Sequence, residues 1–244
     1  MKLRGRNGCL HFVGDFDGQR LLYCYIRKNA CSAFKSLFLH GYDPALMQMA
    51  GNKQIGYLSR FCSARYPQDV KGADHVVFIH RDPFERALST FINKFVQGTG
   101  NEDITVDYRR VTGLEAETAS FDDFLHKYLS HEIEGLDVHV MPQRRHLWPI
   151  LYTDAIAISQ LHESMARIIG EDLAGTYFGK PKNVSEGYSE EWAPGVYSDR
   201  TPSNELRSLL ANTGRIPPKS AFLTDRQRKR IAEIYREDLI FAIT

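Results

Sequence analysis

The chain has 244 residues and a mass of 27.9 kDa, enough for one domain with a sizeable hydrophobic core. Its 31 Lys and Arg residues nearly balance its 30 Asp and Glu residues. The chain therefore lacks the excess of positive charge that would imply broad electrostatic binding to nucleic acid or membranes. Hydrophobic residues at 43% and aromatic residues at 11% exclude an intrinsically disordered chain, and we predict a single domain over residues 1–244.

The cysteines and the apolar stretches indicate the compartment. The four cysteines lack the spacing of zinc ligands and have no histidine cluster beside them; they are Cys9, Cys24, Cys31 and Cys62. Free thiols in a reducing compartment are therefore expected. No stretch has the length of a membrane span, and no apolar signal region follows the charged first residues. We expect a cytoplasmic protein without a membrane span or a nucleic-acid partner.

The first third of the chain alternates between strand and helix patterns. Two apolar runs flank an Asp-Gly turn signal and predict a hairpin. The apolar spacing of Phe34, Leu37 and Phe38 then predicts a helix. The predicted elements are the strands Cys9–Val13 and Leu21–Ile26, the helix ending near Leu39, and short helices at Pro44–Ala50 and Ile55–Phe61.

The rest of the chain continues the alternation with longer irregular parts. Gln97–Ala119 is polar and contains two glycines, so we expect a flap on the substrate side or a disordered loop. Thr224 and Gln227 have the spacing of a capping box that opens the last helix. The predicted strands are Val76–Ile79 and Ala155–Ser159, and the predicted helices are Pro83–Val96, Ser120–Tyr128, Gln160–Ile169 and Asn204–Asn212.

Strands that alternate with helices predict an α/β fold with a mainly parallel sheet flanked by helices. The apolar run up to Ile26 has the composition of a strand buried on both faces, and the run Val76–Ile79 is a second one. Each run leads directly into a turn and a helix. Open α/β sheets bind ligands at the carboxyl ends of their strands, so these two turns are the predicted binding region.

The first turn has the residue types of an anion site. Arg27-Lys28-Asn29-Ala30-Cys31-Ser32-Ala33 follows the strand and opens the helix. A helix N-terminus presents free N–H groups to a phosphate or sulfate, Lys28 adds a mobile ammonium, and Ser32 can cap the helix or donate its hydroxyl. An ordinary β–α turn with a solvated lysine is an equally good interpretation of this segment alone. A Walker loop is excluded, because its glycines are absent.

The second turn follows the same plan. Val76–Ile79 leads into His80-Arg81-Asp82-Pro83, with proline where a first helical turn accepts it. Arg81 at the strand end and Ser89 on the helix can both reach one phosphate, and an arginine fork suits a dianionic phosphate.

Together the two segments resemble the nucleotide signature of PAPS-dependent sulfotransferases, and of their carbohydrate sulfotransferase branch in particular. The resemblance rests on Lys28–Ser32, on Arg81–Arg86 with Ser89, on Asp137–Gln143, which is similar to a His-x-x-Pro-Gln segment, and on closing segments at Asn183–Ser185 and Ile234–Phe241. It implies a P-loop-like sulfotransferase fold, with 3′-phosphoadenosine 5′-phosphosulfate (PAPS) as donor and PAP as product. It implies that the first segment, Arg27 to Ala33, holds the 5′-phosphosulfate and that Arg81 and Ser89 hold the 3′-phosphate.

The resemblance also implies the chemistry, which is in-line attack of an acceptor hydroxyl on the donor sulfur. Lys28 is the predicted cation for the charge that develops on the leaving oxygen, and no metal is required for it. His139 is the first choice for the base; an alternative is that it only positions the acceptor. The acceptor is expected to be a hydroxyl on a carbohydrate.

Two other functions stay open at this point. A nucleotide kinase or NTPase on a similar core is disfavoured by the missing Walker glycines and by the lack of a clear metal-holding Asp after a strand. A module that binds the nucleotide but has lost turnover is compatible with the sequence. Neither the acceptor nor the oligomeric state follows from the residues.

Overall fold

The structure, a computed structural model, describes residues 9–100, 102–179, 187–192 and 195–242. The chain divides into two units, and each unit is built from two separate segments. The described part of the first unit is 9–81 and 143–179, and that of the second is 82–142 and 187–242 without the gaps given above. The single domain predicted over residues 1–244 stays a prediction.

The first unit begins with the predicted hairpin. Strands β1 (Leu10–Phe16) and β2 (Gln19–Tyr25) pair antiparallel, with Phe16 opposite Gln19. The connecting residues Asp17 and Gly18 both have positive φ, 48° and 75°. Such a two-residue turn matches the twist of the flanking strands, which is why Asp-Gly is a strong hairpin signal. The hairpin is confirmed, with a first strand three residues longer at its end than predicted.

Two further strands extend the sheet in parallel. Strand β3 (His75–His80) pairs with β2, and β4 (Asp154–Ala157) pairs with β3, so the order is β1-β2-β3-β4. Two of the three pairings in this sheet of the described residues are parallel. The mainly parallel sheet flanked by helices is therefore confirmed. The carboxyl ends of β2 and β3 lie at the same edge, as parallel pairing requires.

Helices make up most of the remaining described residues. In chain order they are α1 (Cys31–Tyr42), α2 (Pro44–Ala50), α3 (Gln54–Phe61), α4 (Pro67–Lys71), α5 (Pro83–Phe91), α6 (Glu102–Thr112), α7 (Phe121–Asp123), α8 (Leu161–Ile169), α9 (Glu171–Phe178), α10 (Ser203–Thr213), α11 (Lys219–Phe222) and α12 (Asp225–Ile234). Two π-helical turns, Ile92–Val96 and Phe124–Tyr128, continue α5 and α7. Shorter 3₁₀ turns are Gly51–Lys53, Ala116–Thr118, Ile133–Gly135, Gln143–His146, Ile158–Gln160 and Arg236–Phe241. None of the helices in the described ranges is both long and apolar enough to cross a membrane.

Strand β2 is buried on both faces, as its unbroken apolar sequence predicts. Tyr23 belongs to the main core of the first unit and stacks on Phe34 of α1, with ring centroids 3.8 Å apart. Leu22, one residue away and therefore on the opposite face, packs in a smaller cluster with Trp148. The main core thus covers one face of the sheet, and the 148–152 segment together with Val70 of α4 packs on the other.

The second unit has its own aromatic core. Phe91 and Phe95 extend from α5 into the π-helical turn that follows it, and both pack on Phe124. The same core receives Tyr108 of α6, whose ring lies edge-on to Phe95 at 5.2 Å. Burial raises the pKa of the Tyr108 phenol to about 12.

The prediction of a flap or disordered loop over Gln97–Ala119 is wrong. Helix α6 occupies most of this stretch, and its Ile104 and Tyr108 are completely buried. These two residues are four positions apart and therefore lie on one helical face. The remaining positions of the helix are mostly charged or polar, so the average polarity of the segment concealed its single apolar stripe.

The helix caps were predicted with mixed success. The Ser120 hydroxyl caps α7 by accepting the Asp123 N–H, and the Asp123 carboxylate accepts the Ser120 N–H. The helix start predicted at Ser120 is therefore confirmed. Thr224 caps α12 through the N–H of Gln227. The reciprocal half of that predicted capping box is wrong, because the side-chain oxygen of the buried Gln227 lies 3.0 Å from His126 Nε2, while its nitrogen donates to Asp122 and Asp199. Helices α4, α9 and α11 were not predicted.

Candidate active site

The turn between β2 and α1 has the backbone shape of an anion cradle. Lys28 and Ala30 have positive φ, 71° and 56°, whereas Asn29 between them does not. Such an alternation of backbone hand is typical of anion-binding nests. The Asn29 N–H donates to the Ile26 carbonyl at 3.3 Å, so a nest here would use the N–H groups on either side of it. Positive φ is unfavourable for residues other than glycine and is often kept at functional sites. The conformation therefore favours the anion-site interpretation over an ordinary β–α turn.

Helix α1 begins directly at this turn. Its cap residue is Ala30, whose methyl group cannot accept a hydrogen bond from the N–H groups of the first helical turn. The predicted capping role of Ser32 is wrong, because the helix starts at Cys31 and Ser32 lies in its first turn. Ala33 donates its N–H to Ala30 at 2.9 Å, and its methyl group is buried in the core. The positive end of the helix dipole thus faces the turn.

Two buried amides connect this turn to the end of the neighbouring strand. Asn29 is fully buried and donates through Nδ2 to the Ile79 carbonyl at 2.7 Å and to Gln143 Oε1 at 2.6 Å. Gln143, also fully buried, accepts from the Arg81 N–H at 2.9 Å and donates to the Arg81 carbonyl at 2.8 Å. Asn29 and Gln143 therefore hold the backbones of the two predicted phosphate segments in fixed register.

The buried carbonyl oxygen of the Asn29 side chain points to a polar ligand. Its Oδ1 has no hydrogen-bond partner among the described residues, although both protons of the same amide group's nitrogen have acceptors. A buried acceptor without a donor costs about 1–3 kcal/mol, so natural sites usually supply one. A nucleotide or a bound water can do so. The nest suits an anion, whereas this oxygen suits a hydroxyl, an amino group or a water that donates to it.

The other residues of the first turn line its flanks. Arg27 is half-buried, and its guanidinium lies over the Tyr25 ring, 5.4 Å from the centroid. Cys31 is a half-buried free cysteine at the first helical position, and Lys28 is half-buried. Within the first unit, the structure thus brings together Arg27, Lys28, Asn29 and the backbone of Arg81. The ligand contacts assigned to them stay predictions.

His80 ends β3 immediately before Arg81. It is buried, and this desolvation lowers the pKa of its imidazole. A neutral ring at this point matches the apolar surroundings of the strand end. Asn183 and Ser185, which belong to a closing segment of the family resemblance, lie outside the described residues.

In the second unit, the helix after the Arg81 segment starts as predicted. Asp82 caps α5 through the N–H groups of Phe84 and Glu85, and Pro83 occupies the first helical turn. Ser89, the predicted 3′-phosphate contact, lies on α5 and is 4% exposed. The Ser89 assignment stays a prediction.

His139 is held by a carboxylate two residues before it. Its Nδ1 lies 2.6 Å from Asp137 Oδ1, and the same oxygen accepts the His139 N–H at 2.8 Å. Arg86, buried on α5, donates to the His139 carbonyl at 3.3 Å. The side chain of His139 keeps 18% of its surface exposed, so it remains accessible to a small ligand.

Three residues hold the predicted site residues in place, and the sequence did not predict these supporting roles. Gln143 aligns the two phosphate segments, Asp137 holds the predicted base, and Arg86 fixes the backbone of the base. Two sequence signals were available. Gln143 ends the segment similar to His-x-x-Pro-Gln, and Asp-x-His is the spacing at which an aspartate accepts the N–H two residues on.

The chain is similar in sequence to known proteins. The model of the sulfotransferase family matches residues 13–241. Carbohydrate sulfotransferase 14 of Mus musculus is 27% identical over 150 residues, which cover 56% of this chain and 39% of that relative. The chain thus matches less than half of the relative's length. No solved structure matches the chain significantly.

Proposed function

Since the chain belongs to the sulfotransferase family, we propose that it transfers a sulfuryl group from PAPS to a hydroxyl of a carbohydrate acceptor. The observation that carries the donor part is the β2–α1 turn, with its nest, its uncapped helix start and its lysine. Hydrogen bonds from Asn29 and from the Arg81 N–H to Gln143 hold the backbone of Arg81 at the same edge of the sheet.

The donor carries two anionic groups, and the proposal assigns each to one segment. The N–H groups of the first turn and Lys28 hold the 5′-phosphosulfate, because helix N-termini and lysine bind such oxygens well. Arg81 holds the 3′-phosphate, for which its planar fork of donors is suited. Ser89 is proposed as a second donor to that phosphate.

The acceptor part of the proposal rests on similarity to one carbohydrate sulfotransferase. That similarity is partial in length, so the acceptor is proposed only as a class. The near-neutral composition of the chain adds no preference for a strongly anionic polymer.

The proposed reaction is an in-line displacement. The acceptor oxygen forms a bond to sulfur, while the bond from sulfur to the 5′-phosphate oxygen breaks and PAP leaves. Lys28 stabilises the negative charge that grows on the leaving oxygen, and this interaction is stronger in the transition state than before it. His139 takes the proton of the acceptor hydroxyl.

The test compares PAP with AMP, ADP and ATP in a thermal-shift titration. PAP is expected to stabilise the protein at far lower concentrations than AMP, since only PAP carries the 3′-phosphate. Arg81→Ala should remove most of this difference, because a charged hydrogen bond is worth on the order of 1.5–3 kcal/mol. Equal binding of PAP and AMP would contradict the assignment of Arg81, and preferential binding of ATP would favour a kinase.

A transfer assay then separates an enzyme from an idle binding module. PAPS labelled in the sulfuryl group is incubated with a mixture of oligosaccharides, and the label in the acceptor is followed over time. Transfer that stops in Lys28→Ala supports the proposal. Tight PAP binding without transfer to any acceptor would make the protein a nucleotide-binding module.

A further inference from the structure

We infer that Asp137 is a positioning residue that holds His139 in the tautomer with the proton on Nδ1, so that Nε2 is the proton acceptor. The inference rests on the proposed function for its catalytic meaning. Its structural part depends only on contacts within the second unit.

The tautomer follows from the donor inventory. An ionised carboxylate can only accept hydrogen bonds, so the 2.6 Å contact between Asp137 Oδ1 and His139 Nδ1 requires the proton to be on Nδ1. A neutral imidazole carries one proton, and Nε2 is then left with its lone pair. A base needs a lone pair directed at the proton that it takes.

The main chain of His139 is also held in place, which limits how the ring can move. Asp137 Oδ1 accepts the His139 N–H at 2.8 Å, so one carboxylate oxygen holds both the main chain and the ring. On the other side, Arg86 donates to the His139 carbonyl. These contacts restrict rotation of the segment, and a pre-oriented base loses less entropy when it acts.

Asp137 is itself held by a second carboxylate. Asp107 accepts the Asp137 N–H at 2.9 Å and the Tyr128 hydroxyl at 2.5 Å, both through Oδ2. Arg110 pairs with the other oxygen of Asp107. Burial and the bond to Asp107 raise the pKa of the Tyr128 phenol, so Tyr128 stays a hydrogen-bond donor.

The charged groups in these contacts are of both signs. Asp137 faces the ring, and Arg86 faces its carbonyl. The Asp107–Arg110 pair lies behind Asp137. The Asp137 carboxylate contacts the ring itself, so its removal should lower the basicity of His139. The side chain of Asp137 is only 10% exposed, which limits screening by solvent.

The first measurement uses the unchanged protein. Nitrogen-15 NMR of the full chain, with the His139 signals assigned by their loss in His139→Gln, reports which ring nitrogen carries the proton. Above the pH at which the ring is charged, we expect the proton on Nδ1. A predominantly Nε2-protonated ring would overturn the inference without the need for any variant at Asp137.

The second measurement compares Asp137→Asn with Asp103→Asn, a matched control. Asp103 is an exposed carboxylate on α6 in the same unit. Asp137→Asn should lower turnover by more than about tenfold, up to the roughly 10²–10⁴-fold that a general base contributes, with PAP binding unchanged. The acidic limb of the rate profile should move to lower pH, because the ring becomes a weaker base without the neighbouring negative charge.

The outcomes separate the two hypotheses. Wild-type turnover and an unmoved acidic limb in Asp137→Asn would overturn the positioning role, provided that the unchanged protein transfers sulfate. If the wild type transfers no sulfate but shows the Nδ1 proton, the proposed function fails while the tautomer is still supported. A variant that unfolds leaves the tautomer of the unchanged protein as the deciding measurement.

Discussion

Single residues set the chemistry of the first turn. Lys28 adopts a positive φ, which is a strained backbone conformation for a residue other than glycine. Ala30, two positions further on, does the same. Asn29 donates hydrogen bonds to Ile79 and to Gln143, and these two bonds fix the conformation of the turn. Lys28 thus lies in a turn held by buried hydrogen bonds, and such preorganisation is what its proposed role in the transition state requires.

Lys28→Ala is expected to lower turnover by about 10²–10³-fold, the range found when one transition-state hydrogen-bond donor is removed. PAP binding should weaken much less, because the leaving oxygen is charged most strongly during transfer. Turnover from single-turnover kinetics and PAP affinity from calorimetry give the comparison. Lys71→Ala, an exposed lysine of α4, is the control and should change neither. Equal losses in both quantities would make Lys28 a simple phosphate anchor.

Whole elements depend on a few buried side chains. Gln143 joins the turn after β2 to the end of β3, although it comes from a distant 3₁₀ turn (Gln143–His146). In the second unit, α6 is attached to the core through Ile104 and Tyr108. Both cases allow an element to be tested by one substitution beside a matched exposed control.

Gln143→Leu should lower the free energy of unfolding by at least about 2 kcal/mol, since buried donors and acceptors of Arg81 and Asn29 lose their partner. PAP affinity should fall as well, because the register of the two phosphate segments is no longer held. Urea denaturation and a PAP titration measure the two effects. Gln68→Leu, on the exposed side of α4, should leave both within error.

Ile104→Ala should destabilise the second unit by about 2–5 kcal/mol, as expected for a completely buried aliphatic side chain. Val106→Ala on the same helix should stay within about 0.5 kcal/mol, because Val106 is 65% exposed. Denaturant unfolding of both variants tests the packing of α6. Similar effects of the two substitutions would mean that this stretch is the mobile flap that its polarity suggested.

At the scale of the whole molecule, a buried histidine couples the stability of the sheet to pH. His11 of β1 bonds to the Tyr152 hydroxyl at 2.8 Å through Nε2 and stacks on Trp148 at 3.7 Å. Its burial lowers the pKa of the imidazole to about 3. Above a pH of about 6.5, the ring is neutral in the folded and unfolded chains alike.

Between pH 6.5 and 3 the unfolded chain binds this proton and the folded chain does not. The free energy of unfolding should therefore fall by about 1.4 kcal/mol per pH unit as the pH decreases through this range. Urea unfolding between pH 7 and 4.5, followed by the fluorescence of Trp148, measures the slope. His11→Gln should remove this part of it, and His162→Gln, with its side chain 41% exposed, should not. An unchanged slope in His11→Gln would show that the ring is protonated in the folded state.

The sequence by itself determined the elements whose signals are local. The Asp17-Gly18 turn, the unbroken apolar run of β2, the Ser120 cap and the proline at the start of α5 each depend on neighbours within a few residues. The same is true of the turn from Lys28 to Ser32, whose residue types predict an anion site. Local backbone preferences and apolar periodicity are sufficient for such features.

Only the tertiary structure decided which distant groups support the site. Gln143 lies 62 positions from Arg81 and 114 from Asn29, and no periodicity relates them. Helix α6 is stabilised by a core that forms only when α5 and α7 pack against it, so its polar sequence resembled a loop. Buried polar groups must find partners wherever the fold provides them, and packing can override local propensity. These requirements, rather than local patterns, placed Asn29, Arg81 and Gln143 together.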